Sequence, residues 1–476
     1  MKHTKIVCTI GPASATIARL TQMIRAGMNV ARINFSHGDH VTNGALIDLV
    51  KELRKKLNMP VGIMADLQGP RIRTVVDDDM KIEKGEIITV LDTAQKSKNL
   101  NGQKIIQLDW KGIIKDIKKG NHILIEDGLM RMEIIAKKKN FLLAKVIEGG
   151  IVKNHKGVNI PDASLTMSAV TKKDEADLKF ALEQDVDFIA LSFVSNAKEI
   201  LNVKAKIKKM VAKNARLPQI VAKIERKEAV KNIVEIIHAT DSIMVARGDL
   251  GIEMDESRVA IYQKEIIVRC LRLAKPVIVA TQMLNSMIEN PRPTRAEVSD
   301  VSNAVIDHTD AVMLSGETAN GKYPVEAVTI MHNIINNTEQ SPFDLLEHGF
   351  LGDKETSISA SIAHAAHELS KDMKAKAIVV ASVSGFTARM IARHRPENAV
   401  YVMTNNAKTH YQLSLVWGVE SYILPACKSL DELIDRSVET LKQNKAIKKK
   451  DKIIIVAGRP NIGKEHMSLV KVEEVK

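Results

Sequence analysis

Aromatic residues are scarce in this chain: eight Phe, five Tyr and two Trp among 476 residues. Its cores must therefore be built from Val, Ile, Leu, Ala and Met, which a 45% hydrophobic content supplies. The same scarcity argues against a platform for single-stranded nucleic acid, which stacks bases on aromatic rings set among basic residues. Cysteine is rarer still. Cys8, Cys270 and Cys427 form no CxxC pair, so neither a disulfide framework nor a zinc site is indicated. The fourteen histidines show no HxxxH or HExxH spacing, which removes the usual helical zinc motifs. No apolar run approaches the ~20 residues of a membrane helix. The opening MKHTKIVCTI has no apolar stretch and cleavage site of the signal-peptide kind. A cytoplasmic setting with no membrane partner is expected.

The chain does have an excess of positive charge, formally +13. The lysines fall in short clusters such as Lys137–Lys139 and Lys448–Lys450, as on a solvated basic surface. No nucleic-acid partner is expected. A positive field does suit an enzyme of polyanionic phosphate substrates.

The most informative pattern is a recurrence of short β-branched apolar runs. Eight belong to one framework: Lys5–Ile10, Asn29–Ser36, Val61–Leu67, Phe188–Val194, Ile220–Glu225, Ser242–Ala246, Pro276–Thr281 and Ala311–Ser315. Near-continuous apolarity marks strands covered on both faces. Helix-like segments separate most of them, among them Thr171–Gln184, which opens with Thr171, Asp174 and Glu175 as a capped helix should. Eight strand–helix units predict an α/β fold, a closed parallel (β/α)8 barrel. About a hundred residues separate the third run from the fourth. There Met80–Gly157 carries short alternating strands broken by Gly, Asn and Lys, which reads as a small β-domain inserted at the face where barrel active sites lie. Beyond the linker Gln340–Thr356, strands near Ala377–Ala381, Val400–Met403, Ser421–Leu424 and Ile453–Val456 predict a separate doubly wound α/β domain. The expected division is residues 1–69 and 168–340 for the barrel, 70–167 for the β cap and 341–476 for the C-terminal α/β domain.

If a barrel forms, its chemistry should cluster where the strands end. In Val30–Ser36, Arg32, Asn34 and Ser36 are spaced by two and share a face. Lys223 and Glu225 are spaced in the same way. Asp249 follows the next strand in a glycine-bracketed turn, and with Glu225 offers two oxygens to one hard divalent cation. The amides of Gly248 and Asp249 at a helix start offer an anion pocket. Thr281, Ser315 and Glu317 close the rim. Each residue alone has an ordinary structural explanation, such as an ion pair or a solvated strand end. Their recurrence at one end of successive strands points to phosphoryl transfer, where catalysis is mostly positioning and charge neutralisation.

At these residues the sequence resembles the pyruvate kinase family. The matching segments include KIVCTIGP at Lys5–Pro12, MNVARINFSHG at Met28–Gly38, ADLQGPRIR at Ala65–Arg73 and KGVNIP at Lys156–Pro161. Further along come AKIE at Ala222–Glu225, IMVARGDLGIE at Ile243–Glu253, ATQMLNSM at Ala280–Met287, PRPTRAEVSD at Pro291–Asp300 and TDAVMLSGETA at Thr309–Ala319. The resemblance implies a glycolytic phosphotransferase that moves the phosphoryl group of phosphoenolpyruvate to ADP, giving pyruvate and ATP through a metal-stabilised enolpyruvate. It implies that Arg32 binds the phosphoryl group, that Lys223 stabilises the phosphoryl in flight and the enolate, and that Glu225 and Asp249 hold Mg²⁺ or Mn²⁺. It implies that Gly248, Asp249 and Thr281 grip the substrate carboxylate, and that Arg73 and Lys156 contact the nucleotide. A proton relay through Thr281, Ser315 and Glu317 is expected to serve the enolate. A homotetramer is also implied.

Two regions depart from the family pattern. Members that bind K⁺ do so through Asn, Ser, Asp and Thr; here Asn34, Ser36 and Asp66 match, but Leu67 stands at the Thr position and Arg71 at a position typically Glu. This resembles the branch that works without K⁺. A fixed guanidinium supplies the missing positive charge, so the degenerate K⁺ site is expected to be dispensable. Thr74, where that branch often carries an apolar residue, points the other way. In the C-terminal domain, Ser382, Ser384, Gly385 and Thr387 lie in ASVSGFT before a helix-like segment. The resemblance makes this loop the site of a phosphorylated allosteric activator, a sugar phosphate or AMP; the departure is in a second glycine-bearing loop, Gly458–Lys464, which is expected to face it and add Arg459 or Lys464 but differs from the family's usual wording, so the effector's identity stays open. Two rival functions compete: a phosphoenolpyruvate mutase or lyase, which has no need of Arg73, Lys156 or a cap, and an RNA-binding protein, suggested by charge alone.

Overall fold

The computed structural model of the chain describes residues 2–94, 104–163, 170–213, 215–344, 357–458 and 467–476. Eight parallel strands close into a barrel: Lys5–Ile10, Val30–Asn34, Gly62–Asp66, Phe188–Leu191, Gln219–Ile224, Ser242–Ala246, Val277–Ala280 and Ala311–Leu314. They are called barrel strands one to eight here, and all eight coincide with runs expected from the sequence. Neighbours in the chain are neighbours in the ring, and strand eight pairs back onto strand one, Lys5 opposite Ala311.

Alternation along each strand explains why the runs are apolar throughout. Ile6, Cys8 and Ile10 of strand one, and Ile220, Ala222 and Ile224 of strand five, face outward into the cluster shared with the helices. Val7, Val30, Met64, Phe188, Val221, Met244 and Ile278 face inward and fill the barrel. Leu415, from the C-terminal part of the chain, joins that inner cluster. The helix after the inserted segment runs Lys172–Glu183, with a reciprocal capping box between Thr171 and Asp174.

The insertion leaves after strand three and forms a second closed barrel. Its seven strands are Ile72–Val75, Ile87–Asp92, Ile105–Leu108, His122–Ile125, Met130–Lys137, Leu142–Glu148 and Gly157–Asn159. They enclose a core of Ile, Val, Leu and Met. Gly69 marks the exit from the barrel: its φ is +69°, and a Cβ there would lie 2.9 Å from that of Ser192, so only glycine fits.

The C-terminal sheet has five strands in the order Val419–Ile423, Ala399–Thr404, Ala377–Ala381, Lys452–Ala457, Leu469–Glu474. The first four are parallel, and the last pairs antiparallel at the edge. This domain is tied to the amino ends of the barrel strands. Arg395 reaches both carboxylate oxygens of Asp310, at 3.1 and 3.3 Å, and Lys5 Nζ donates to Val419 O at 2.8 Å.

Candidate active site

The inward positions change character toward the carboxyl ends of the strands. Above the apolar filling come Thr9, Arg32, Asp66 and Lys223 from strands one, two, three and five, with Ser192 and Glu225 directly after strands four and five. Arg32 Nε donates to Asp66 Oδ2 at 2.6 Å, and its Nη1 donates to Thr9 Oγ1 at 2.8 Å. Lys223 Nζ donates to Ser192 Oγ at 2.8 Å and lies 2.9 Å from Glu225 Oε1 and 3.4 Å from Asp66 Oδ1. Glu225 Oε2 accepts the Phe193 amide at 2.6 Å. The structure thus brings Arg32, Lys223 and Glu225 together, and places Asp66 between the two cations.

The electrostatics follow from burial and charge. Burial alone would push the Asp66 carboxyl up, but Lys223 and Arg32 outweigh it and hold it below its ordinary value. Burial alone would push Lys223 down; Asp66 and Glu225 outweigh it, and the ammonium is held more firmly than in water. Glu225 is pushed up by burial first, against the pull of Lys223, and the charge of Asp249 adds to the push. A second carboxylate whose charge acts on Glu225 leaves a demand for positive charge beside it. Among the described residues, no three His, Cys, Asp or Glu side chains are grouped to hold a metal. Two carboxylate oxygens suit Mg²⁺, which takes one or two carboxylates and fills its other positions with substrate oxygens and water.

Strands six and seven supply the adjoining rim. Helix Arg247–Glu253 starts directly after strand six, without the intervening turn expected from its glycines. The Gly248 amide donates to Thr281 Oγ1 at 2.8 Å, so the two groups expected to grip a carboxylate converge on one point. Thr281 has φ +70°, an outlier for a β-branched residue. Its carbonyl is fixed by Arg247 Nη2 at 2.9 Å, and Arg247 Nη1 pairs with Asp300 at 2.7 Å. Strain retained at a strand end in this way is typical of a functional position. Glu317 accepts the amides of Leu284 and Ser315 at 3.0 and 2.7 Å, which commits both its oxygens to the backbone. Among the described residues, the buried Ser315 Oγ has no hydrogen-bond partner.

The cap contributes from above. Arg73 lies opposite Gly157 in the pairing of Ile72–Val75 with Gly157–Asn159, next to Lys156. Lys156 is ion-paired with Glu126, and its amide is held by Thr74 Oγ1 at 2.9 Å. Arg71 stands 3.8 Å from Asp127. It shares a cleft of about 810 Å³ with Arg247, Gly248, Asp249 and Asp300. Of the degenerate K⁺ positions, Asn34 Oδ1 accepts the Ser36 amide at 3.1 Å, and Leu67 is buried.

In the C-terminal domain, Ser382 and Thr387 are buried, and Gly385 takes φ +75° as it caps helix Phe386–Ala392. Arg216 of the barrel donates to Ser384 O at 2.9 Å. Arg459 and Lys464 lie outside the described residues. Two contributors escaped the sequence reading, Thr9 and Ser192. Ser192 donates to Leu67 O at 2.8 Å, so its lone pairs are left for Lys223. Both residues sit on inward positions of predicted strands, and only that register pointed to them.

Such a barrel, with cations interleaved among carboxylates beneath an inserted β-barrel, defines a capped (β/α)8-barrel enzyme built for charge neutralisation. The sequence profile described as pyruvate kinase, barrel domain, matches residues 1–328, and that described as pyruvate kinase, alpha/beta domain, matches 360–473. The chain is 41% identical over 483 residues to a pyruvate kinase of Geobacillus stearothermophilus, covering 100% of this chain and 80% of that protein. It is 40% identical over 484 residues to one of Clostridium acetobutylicum, covering 100% of both. A crystal structure of a pyruvate kinase from Cryptosporidium parvum superimposes with a TM-score of 0.93 at 33% identity, over 100% of this chain and 96% of that one. The chain belongs to the pyruvate kinase family.

Proposed function

We propose that Arg32, Lys223, Glu225, Asp249 and Thr281 carry the transfer of a phosphoryl group from phosphoenolpyruvate to ADP, giving pyruvate and ATP. The observation behind this reading is the position of Lys223, within 2.9 Å of Glu225 and 3.4 Å of the Asp66 that also binds Arg32. Arg32 binds the phosphoryl group. Lys223, held cationic, donates to the phosphoryl in flight and to the enolate oxygen as the phosphorus–oxygen bond breaks. The Gly248 and Asp249 amides and the Thr281 hydroxyl hold the substrate carboxylate. Arg73 and Lys156 position the nucleotide, whose terminal oxygen forms the new bond to phosphorus. Glu225 and Asp249 would hold Mg²⁺ or Mn²⁺, which neutralises developing charge on phosphoryl and enolate oxygens.

Protonation of the enolate carbon completes pyruvate. The commitment of Glu317 to two amides favours a relay that ends at Thr281 and Ser315, with Glu317 as their scaffold. Asp66 is already flanked by two cations, and Leu67 has no side-chain oxygen while its carbonyl accepts the Ser192 hydroxyl, which supports activity without K⁺; Arg71 adds fixed charge at the cleft. Ser382, Ser384, Gly385 and Thr387 form the binding loop for a phosphorylated activator. The catalytic unit comprises 1–69 and 168–340, the cap 70–167 and the regulatory domain 341–476, assembled as a cytoplasmic homotetramer. The test is pyruvate release from phosphoenolpyruvate with ADP and Mg²⁺, with sugar phosphates and AMP added in turn. Turnover that needs both ADP and a divalent ion is expected. Pyruvate formation without ADP would refute the assignment.

A further inference from the structure

Glu253 occupies a position unfavourable to an acid. It is the last residue of helix Arg247–Glu253, at the negative end of the helix dipole, and it is 9% exposed. Burial pushes its carboxyl up, and the charges of Glu228 and Asp249 push it further, against the Asn159 hydrogen bond and the charge of Arg226. A carboxylate serving helix stability belongs at the other end. This one makes its side-chain hydrogen bond outside its own domain: Glu253 Oε1 accepts Asn159 Nδ2 at 3.0 Å. Asn159 ends the cap strand Gly157–Asn159, three residues after Lys156, and that strand pairs with the one carrying Arg73. Glu253, in turn, lies one helical turn beyond Asp249, in the helix whose Gly248 amide meets Thr281. One hydrogen bond therefore joins the nucleotide side of the cap to the helix bearing the metal and carboxylate groups.

We propose that Asn159 and Glu253 are a positioning pair that docks the cap onto helix Arg247–Glu253, so that ADP held by the cap is brought into register with the phosphoryl group below. This rests on the placement of the nucleotide at Arg73 and Lys156. The pair touches no reacting atom; it sets the distance between the two halves of the site.

An exchange of partners tests it. Asn159→Asp sets two carboxylates against each other, and the KM for ADP is expected to rise about tenfold or more, the cost of losing a hydrogen bond to a charged group. The KM for phosphoenolpyruvate, whose contacts all lie in the barrel, stays close to that of the parent. Glu253→Gln added to Asn159→Asp restores a donor facing a carboxylate and recovers most of the loss. If Asn159→Asp does not fold, Asn159→Ala is read for the same KM split. An unchanged KM for ADP, an equal rise in both KM values, or a double variant no better than Asn159→Asp overturns the pairing. Arg73→Ala is assayed beside them. A normal KM for ADP in that variant overturns the nucleotide placement itself, whereas a raised one with no rescue in the double variant faults the pair alone.

Discussion

The hydroxyl of Ser192 gives its one proton to Leu67 O, at 2.8 Å, and accepts from Lys223 Nζ, also at 2.8 Å. A small side chain at the end of strand four thereby anchors the lysine to the end of strand three. With Glu225 and Asp66 it fixes three directions around the ammonium.

Removing this anchor should misplace Lys223 without removing its charge. Ser192→Ala is expected to lower kcat on the order of ten- to a hundredfold, the effect of a misplacement near 1 Å. The KM for ADP should stay near that of the parent. Steady-state kinetics with each substrate varied check this, and an unchanged kcat would show that Glu225 and Asp66 orient the lysine unaided.

The ion pair between Arg395 and Asp310 lies at the opposite end of the barrel, far from the chemistry. Both side chains are buried, Arg395 also donates to His308 O at 2.6 Å, and its guanidinium lies 5.0 Å from the Trp417 ring centre. Arg395→Met leaves a buried carboxylate uncompensated, which should cost about 3–5 kcal/mol. Urea denaturation reads this, with kcat of the folded variant unchanged. A loss under about 1 kcal/mol would mean that the amides of Val277 and Trp417 already satisfy Asp310.

These examples show how much of the molecule was legible in the sequence. Both-face burial writes itself into composition, so each barrel strand announced itself as an apolar run. A half-exposed edge does not: Leu469–Glu474 runs through Lys471 and Glu473, and Met130–Lys137 lies among charged neighbours, so neither carries an apolar signature. In the site, Arg32, Lys223 and Glu225 stood out because charge inside an apolar run is costly and demands a reason. Thr9, Ser192 and Asn159 gave no such signal. Small neutral side chains are unremarkable in sequence, and their partners lie tens to hundreds of residues away.

Acid should weaken the fold through its buried histidines. His394 is pushed down to about 3, by burial first and then by Arg393, His367 and His364; His308 and His410 are pushed down to about 4, again chiefly by burial. Each binds fewer protons folded than unfolded below the ordinary 6.5. Their contribution is thus intact above that pH and is lost as pH falls toward 4 and 3. Asp344, raised to about 7 by burial, acts in the opposite sense, as do Asp187, Glu225 and Glu253, which burial also raises. Each histidine by itself should remove up to about 1.4 kcal/mol of stability per pH unit between pH 6.5 and 4. His394→Phe should flatten that slope by one proton. Melting temperatures across this range check it, and an identical slope in both proteins would contradict it.

The K⁺ position is tested by the buffer. With Leu67 in place of a hydroxyl side chain and Arg71 at the cleft, turnover in Tris or tetramethylammonium salts should match that in KCl. A large stimulation by K⁺ would show that Asn34, Ser36 and Asp66 still bind the ion.

The most direct measurement concerns Lys223 itself. Lys223→Met keeps most of the length of the side chain and removes its charge, so pyruvate release should fall about a thousandfold or more. Phosphoenolpyruvate binding, followed by titration in the presence of Mg²⁺, should persist through Arg32 and the Gly248–Thr281 pocket. A variant that binds and still turns over near the parent rate would contradict the role given to the lysine, and with it the reading of the whole site.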